Sequence, residues 1–403
     1  MVSLLGIAVL LGIAFALSSA KRSINLRTVG GAFAIQASVG AFVLYSEPGK
    51  EVLLASTEFV ANIIAYSQDG INFLFGPIGD KSIAFIFAFN VLPVIVFFSS
   101  LIAVLYHLKV MNIVIKIIGG ALQKLLGTSK SESMSSAANI FVGQTEAPLV
   151  VRPFIPNMTT SELFAVMVGG LASIAGSVMA GYAGMGVELK YLLAASFMAA
   201  PGGLLMAKII LPETNTASIE SKNVEAEDTV YANVFDAAAS GASSGMQLAL
   251  NVGAMLLAFI ALIAMVNGLI GWSAGLFGYE NVTFEGILGY VLQPLAWAIG
   301  VPWDEAQLAG SFIGQKMVVN EFVAYLNFLE NQAQLSEASQ AIITFALCGF
   351  ANFSSIAILM GGIGVMAPTR RNEIARLGLK AVIAATLSNL MSAALAGFFL
   401  SLG

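Results

Sequence analysis

Residues 143–148 read Gly-Gln-Thr-Glu-Ala-Pro and make a polar turn between two apolar stretches, Ile140-Phe141-Val142 and Leu149-Val150-Val151. A carboxylate at membrane depth costs roughly 2.5–3.5 kcal/mol on insertion scales, so Glu146 indicates a functional site. The Gly and Pro interrupt a helix, and lipid cannot satisfy the backbone groups that are freed. We therefore expect this turn to lie inside protein or beside a water-filled cavity, as one half of a binding site.

The composition places this turn in a membrane protein. The chain has 403 residues, of which 58% are hydrophobic and 10% are charged, whereas soluble domains carry about 25% charged residues. Several apolar runs reach the roughly 17–25 residues that span a bilayer, so we expect an all-α polytopic membrane protein. The net charge of −5 indicates no nucleic-acid partner. The single cysteine, Cys348, excludes an intrachain disulfide framework and a cysteine-based metal site.

The apolar runs predict spans that are separated by charged segments. Basic residues cluster after the first run, after the third run and before the last run, and the positive-inside rule places all three clusters in the cytoplasm. This order predicts a retained first helix and both termini outside. The acidic segment Glu47–Lys81 is expected to form interfacial helices, and Pro212–Asp236 is expected to be a solvated loop. The predicted spans are Val2–Ser19, Val29–Tyr45, Ser82–Tyr106, Ser161–Tyr182, Tyr191–Leu211, Met246–Trp272, Ile342–Met366 and Ala381–Leu402.

Two further segments, Ser131–Ile155 and Trp303–Glu330, have limbs too short to cross a bilayer and a polar tip at Glu146 or Glu321. They predict re-entrant helical hairpins. Each is followed by a span with a polar or small-residue centre, so the two halves predict an inverted structural repeat, the pattern of a secondary-transporter site at the midplane. We divide the chain into scaffold residues 1–107, a first transport repeat 108–211, a connecting part 212–300, and a second transport repeat 301–403.

The polar groups predicted to meet at the midplane are mainly amides and hydroxyls, which suit a neutral solute. Backbone carbonyls freed near Val142 and Ser173, together with the Asn139 side chain, would suit a hard cation such as sodium. Two simpler interpretations stay open, namely that Glu146 only bonds to the backbone of a neighbouring helix and so fixes the hairpin, and that Ser354 and Ser355 bond to their own helix. The predicted midplane groups are Asn139, Gln144, Thr145, Glu146, Glu321, Asn352, Ser354 and Ser355.

Three motifs resemble the signatures of the concentrative nucleoside transporters, most closely the bacterial sodium-coupled members. They are the sequences at residues 143–148, at 319–324 (Val-Asn-Glu-Phe-Val-Ala) and at 349–355 (Gly-Phe-Ala-Asn-Phe-Ser-Ser). The resemblance implies a homotrimer with eight transmembrane helices and two re-entrant hairpins per chain, working by an elevator movement.

The same resemblance implies roles for particular residues. Gln144, Thr145 and Glu146 would face the nucleobase, and Glu321, Asn352 and Ser355 would hold the ribose. The pocket would be lined by Val178, Leu248 and Phe350. Sodium would bind at Asn139, Val142, Ser173 and Ile174.

We therefore expect a sodium–nucleoside symporter for uridine-like substrates in the bacterial cytoplasmic membrane, with no enzymatic activity and no organic cofactor. A proton-coupled symporter of the same fold is the main alternative. A channel is less favoured, because single tip glutamates do not form the carbonyl ladder of a selectivity filter. An intramembrane hydrolase lacks a nucleophile–base pair, and the single histidine, His107, is expected at a cytoplasmic helix end.

Overall fold

The structure, a computed structural model, describes residues 2–80, 85–215, 231–279 and 281–402. Within these ranges the chain is nearly all helical. The first nine α-helices are α1 Val2–Ala16, α2 Leu26–Leu44, α3 Glu47–Ala65, α4 Ser67–Phe75, α5 Phe87–Asn90, α6 Leu92–His107, α7 Val110–Leu126, α8 Lys130–Ala138 and α9 Thr160–Ala172. The remaining helices are α10 Gly176–Met185, α11 Leu189–Ile210, α12 Val234–Gly275, α13 Phe284–Ala298, α14 Trp303–Val318, α15 Glu321–Glu330, α16 Glu337–Leu347, α17 Ser354–Met366 and α18 Arg371–Leu400.

Six helical segments of the described residues are long and apolar enough to cross a membrane, and α13 with α14, bent by 116°, would make a seventh. The expected polytopic helical class is therefore confirmed. The count of eight stays a prediction, because it requires the short α1 and the α16–α17 pair to cross as well. The re-entrant course of the two tip segments and the inverted repeat also stay predictions. The six segments are Leu26–Leu44, Phe87–His107, Thr160–Met185, Leu189–Ile210, Val234–Gly275 and Pro368–Leu400.

Two expectations about local structure need correction. The limb after Glu146 is a 3₁₀ helix, Ala147–Asn157, because its internal prolines cannot donate the backbone bonds of an α-helix. The expected span Met246–Trp272 is the middle and later part of a longer continuous helix, the 42-residue α12. The third span has a short break at Val91 between α5 and α6, two residues before Pro93 in the first turn of α6. Its expected start at Ser82, and most of the expected acidic loop, lie outside the described residues.

Side-chain caps define where the helices near the site begin. Thr159 and Glu162 form a reciprocal capping box at the start of α9, which satisfies two backbone donors that the first turn leaves free. Asn320 caps α15 by accepting a hydrogen bond from the Val323 amide at 2.9 Å. These caps fix the direction in which each helix leaves its turn.

Burial separates an inner group of helices from an outer one. The best spanning window is 100% buried for α9 with α10 and 94% buried for α11, but only 17% buried for α12. The outer α12 approaches α6 closely at Gly241 and Gly245, where a Cβ atom would lie 2.7–2.8 Å from backbone atoms of α6. The inner helices carry the two interruptions that build the site, and α12 covers them from outside.

Candidate functional site

The first tip, residues 139–146, follows α8 and turns back on itself. The Glu146 carboxylate accepts a hydrogen bond from the Gly143 amide at 2.6 Å. This bond lies within the turn, whereas the simpler interpretation expected a bond to the backbone of a neighbouring helix. The carbonyl oxygen of Phe141 accepts from the amide of Gly176 at 2.9 Å. This bond joins the first tip to the start of α10.

The second tip, residues 319–321, places a buried carboxylate beside two donors. Glu321 is 4% exposed, and its two oxygens accept from the Tyr182 hydroxyl at 3.0 Å and from the Asn352 side-chain amide at 2.9 Å. Both carboxylate oxygens are therefore held, and each still has lone-pair capacity for a further donor.

Two inner spans are interrupted next to these tips. The first break, residues 173–175, separates α9 from α10, and the second break, residues 348–353, separates α16 from α17. The two breaks contact each other, since the Phe350 amide donates to the carbonyl oxygen of Ser173 at 3.2 Å. Asn352 closes the second break by accepting from the Ser355 amide at 2.9 Å and from the Ser354 hydroxyl at 2.7 Å. The expected interruption of both spans is confirmed.

The tips, the breaks and α12 enclose one cavity of about 110 Å³. It brings together side chains from distant parts of the chain, as in the bond from the Gln144 side-chain amide to the Ser355 hydroxyl, 211 positions away, at 3.3 Å. All nine side chains predicted to bind substrate line it, although their roles stay predictions: Gln144, Thr145, Glu146, Val178, Leu248, Glu321, Phe350, Asn352 and Ser355.

The residues predicted to bind a cation lie where the first tip meets the first break. Asn139 is 1% exposed, and its side-chain oxygen has no hydrogen-bond partner among the described residues. Its side-chain nitrogen donates to the carbonyl oxygen of Ser135 at 2.9 Å. The other three predicted ligands, Val142, Ser173 and Ile174, are also buried. A buried oxygen without a donor suits a cation, because an unsatisfied buried acceptor costs about 1–3 kcal/mol.

A second cavity of about 580 Å³ adjoins the first, and the two share Glu146 and Ala175. Its wall includes Lys109, Lys116 and Lys130, which belong to a basic cluster that the sequence places in the cytoplasm. Glu146 therefore lies where the smaller cavity meets a larger one that is bordered by basic residues.

Sequence reasoning missed two parts of this site. Tyr182 was predicted only as the last residue of a span, although it is fully buried and its hydroxyl bonds Glu321. The wall formed by α12 also includes Val252, Met255 and Leu256, which follow Leu248 at the spacing of one helix face. That periodicity is visible in the sequence and could have identified these wall residues.

The fold and the site together define a helical membrane transporter. Helix tips and interrupted spans that meet at one cavity are the architecture of secondary transporters. Family models of the Na+ dependent nucleoside transporters match residues 5–78 with their N-terminal part and residues 191–397 with their C-terminal part, and a nucleoside recognition (Gate) model matches residues 88–188. The chain belongs to this family of nucleoside transporters, and it is not an enzyme.

Individual relatives match over nearly the whole chain. An uncharacterized transporter of Haemophilus influenzae is 60% identical over 100% of this chain and 98% of its own length. The nucleoside permease NupC of Helicobacter pylori is 51% identical over 99% of this chain and 98% of its own length.

A solved structure of CNTnw in an inward-facing, substrate-bound state has a TM-score of 0.95 and 58% identity, covering 100% of this chain and 99% of that one. A variant of CNTnw in an outward-facing state has the same TM-score and identity, over 100% of this chain and 98% of that one.

Proposed function

We propose that this protein takes up uridine-like nucleosides by symport with sodium, through an elevator-type alternating-access movement. The observation that carries this proposal is the convergence of two tips and two breaks on one cavity lined by two carboxylates, amides and hydroxyls. Such a lining suits a neutral solute that has many hydroxyl and amide groups.

The second tip is proposed to hold the ribose. Glu321 accepts one hydrogen bond at each oxygen and can accept further bonds from ribose hydroxyls, while Asn352 and Ser355 border the same part of the cavity. A solute without these hydroxyls would leave buried polar groups unpaired, and sites of this kind reject such solutes strongly. This part of the site would therefore select nucleosides over free bases.

The first tip is proposed to bind the nucleobase. The side-chain oxygen of Gln144 has no partner among the described residues, which leaves an acceptor for a donor on the edge of a base. Thr145 and Glu146 add further polar groups, and Val178, Leu248 and Phe350 supply apolar walls. Edge recognition between apolar walls suits a flat heterocycle.

Sodium is proposed to bind at Asn139, Val142, Ser173 and Ile174, on neutral oxygens that suit a hard cation. The carbonyl of Ser173 is bonded to the amide of Phe350, which lines the nucleoside cavity. A cation that orders the first break would therefore also order one wall of the cavity. Coupling requires that sodium binds the conformation that can bind the nucleoside better than it binds the alternative conformation. Equal affinity for both conformations would not shift the equilibrium between them.

Transport is proposed to proceed in a homotrimer in the bacterial cytoplasmic membrane, with the tip segments as re-entrant hairpins and both termini outside. The larger cavity beside the basic cluster would then be the cytoplasmic entrance. Inward-facing and outward-facing structures of CNTnw, a relative in fold and sequence, support an alternating movement.

Uptake in proteoliposomes tests the function directly. We expect labelled uridine to accumulate when an inward sodium gradient is applied, and Glu321→Gln to abolish accumulation. Glu330→Gln is a matched control, because Glu330 ends the same helix and is exposed. Accumulation that follows a proton gradient and ignores sodium would contradict sodium coupling, and sodium-driven uptake by the Glu321→Gln variant would remove Glu321 from the site.

A further inference from the structure

Lys316, near the end of α14, is a buried charged side chain that has no role in the proposed transport cycle. It is 1% exposed and lies in the inner group of helices. Lysine is almost never fully buried unless it is paired, because moving an ammonium out of water costs several kcal/mol even after relaxation. The surroundings of Lys316 must therefore compensate its charge.

Both hydrogen-bond acceptors of Lys316 are neutral oxygens. Its ammonium donates to the carbonyl oxygen of Ala346 at 2.8 Å and to the side-chain oxygen of Asn389 at 2.6 Å. In an uninterrupted helix the amide of Phe350 would donate to Ala346, but here it donates to Ser173. The ammonium thus donates a hydrogen bond to a carbonyl oxygen that the second break leaves without its helical partner, at the C-terminal, negative end of the α16 dipole. Carbonyl and amide oxygens are the ligands of a hard cation.

The second break begins at the same distance from its tip glutamate as the first break does. Ser173 follows Glu146 by 27 residues, and Cys348 follows Glu321 by 27 residues. The helix before each break ends one residue earlier, α9 at Ala172 and α16 at Leu347. The ammonium of Lys316 therefore lies at the helix end that corresponds, in the first repeat, to the end beside the proposed sodium ligands. This step rests on the proposed sodium site.

Asn389 of α18 connects the two helix ends. Its side-chain nitrogen donates to the carbonyl oxygen of Ala172 at 2.6 Å and to that of Cys348 at 2.9 Å, while its side-chain oxygen accepts from Lys316. Gly349 allows this approach, since a Cβ atom there would collide with Asn389 and with the Ala172 carbonyl. One amide thus separates the buried ammonium from the end of α9.

We propose that Lys316 is a fixed cation of the second repeat, which occupies the place that sodium takes in the first repeat. The ammonium of Lys316 stays with the protein and stabilises the second break. The sodium ion binds at the first break and leaves during transport. The two charges repel each other across Asn389, so Lys316 weakens sodium binding at the first break and favours sodium release.

Replacement by glutamine tests this electrostatic effect, because Lys316→Gln keeps a hydrogen-bond donor and removes the charge. Two unit charges roughly 10 Å apart, at an effective dielectric constant of about 20, repel enough to change a binding constant about tenfold. We expect the sodium concentration for half-maximal uridine binding by purified protein to fall about tenfold in Lys316→Gln. The control is Lys190→Gln, at a partly exposed lysine that pairs with Glu188. This variant should have the same sodium concentration for half-maximal uridine binding as the wild type.

The outcomes separate the two proposals. Wild-type uridine binding that does not respond to sodium contradicts the proposed function. If wild-type binding depends on sodium, but folded Lys316→Gln needs the same or a higher sodium concentration for half-maximal uridine binding, the proposal that Lys316 is a fixed cation is overturned. A lysine with a purely structural role predicts no increase in sodium affinity when it is replaced.

A second measurement applies if the glutamine variant does not fold. Thermal unfolding of Lys316→Ala is then followed with methylammonium chloride and with the neutral, similarly sized methanol. We expect methylammonium to raise the unfolding temperature of Lys316→Ala by more than it raises that of the wild type. We expect methanol to produce no such difference between the two proteins. Equal effects of both additives, or no effect of either, overturn the proposal.

Discussion

Tyr182→Phe is the substitution that isolates the support of Glu321. It removes one hydroxyl oxygen and keeps the ring, which packs on Phe322 and Tyr325 with centroid separations of 4.6 and 4.7 Å. The lost interaction is the 3.0 Å hydrogen bond to the Glu321 carboxylate. Of the two side-chain hydrogen bonds to that carboxylate, the one from Asn352 would then remain.

The expected effect follows from the type of bond. A hydrogen bond to a charged group contributes about 1.5–3 kcal/mol, and 1.4 kcal/mol corresponds to about a tenfold change in affinity. A bound water or the substrate itself can replace part of the lost contact. We therefore expect uridine affinity to fall about tenfold, which corresponds to the lower end of the range of about 1.5–3 kcal/mol.

Equilibrium binding of labelled uridine at saturating sodium measures this loss. The matched control is Tyr325→Phe, because Tyr325 is equally buried and its hydroxyl donates to the Thr344 carbonyl at 2.9 Å rather than to Glu321. Both variants should be slightly less stable than the wild type, but only Tyr182→Phe should bind uridine more weakly. Equal uridine affinities in the two variants would refute a role for Tyr182 in orienting Glu321.

Two further substitutions test other parts of the structure. Asn139→Ala should raise the sodium concentration for half-maximal uridine binding about tenfold or more, since a contact to a charged group contributes about 1.5–3 kcal/mol; an unchanged sodium response would exclude Asn139 as a ligand. Lys208→Met should lower the free energy of unfolding by about 3–5 kcal/mol, because it leaves Glu132 buried without its 2.9 Å ion pair. The double variant Lys208→Met, Glu132→Leu should recover most of this loss, and no recovery would contradict the ion-pair explanation.

The positions of the tips and breaks could be predicted because polar groups are costly in an apolar chain. Glu146, Glu321 and Asn352 stand out against their neighbours, and each borders the cavity. The resemblance to the transporter family implied Val178 and Leu248, whose apolar side chains carry no such signal.

The remaining features depend on tertiary contacts that local sequence does not encode. Asn389 lies in the run Leu387-Ser388-Asn389-Leu390, and its partners are backbone carbonyls 41 and 217 positions away. Tyr182 looks like a residue at the end of a span until its partner Glu321 is placed beside it. The prolines at 153 and 156, in contrast, are visible in the sequence and explain why the limb after the first tip is a 3₁₀ helix.

Helix α12 is continuous past both cavities, so positions along it give a length scale for movement between them. At about 1.5 Å per residue its 42 residues extend about 63 Å, roughly twice the 30 Å thickness of the hydrocarbon core. Gly241 and Ser244 border the larger cavity, and Leu248 to Leu256 border the smaller one. Ser244 and Leu248 are about one helical turn apart. A solute that passes between the two cavities would therefore stay in contact with one continuous helix, and its displacement would correspond to a small number of turns of α12.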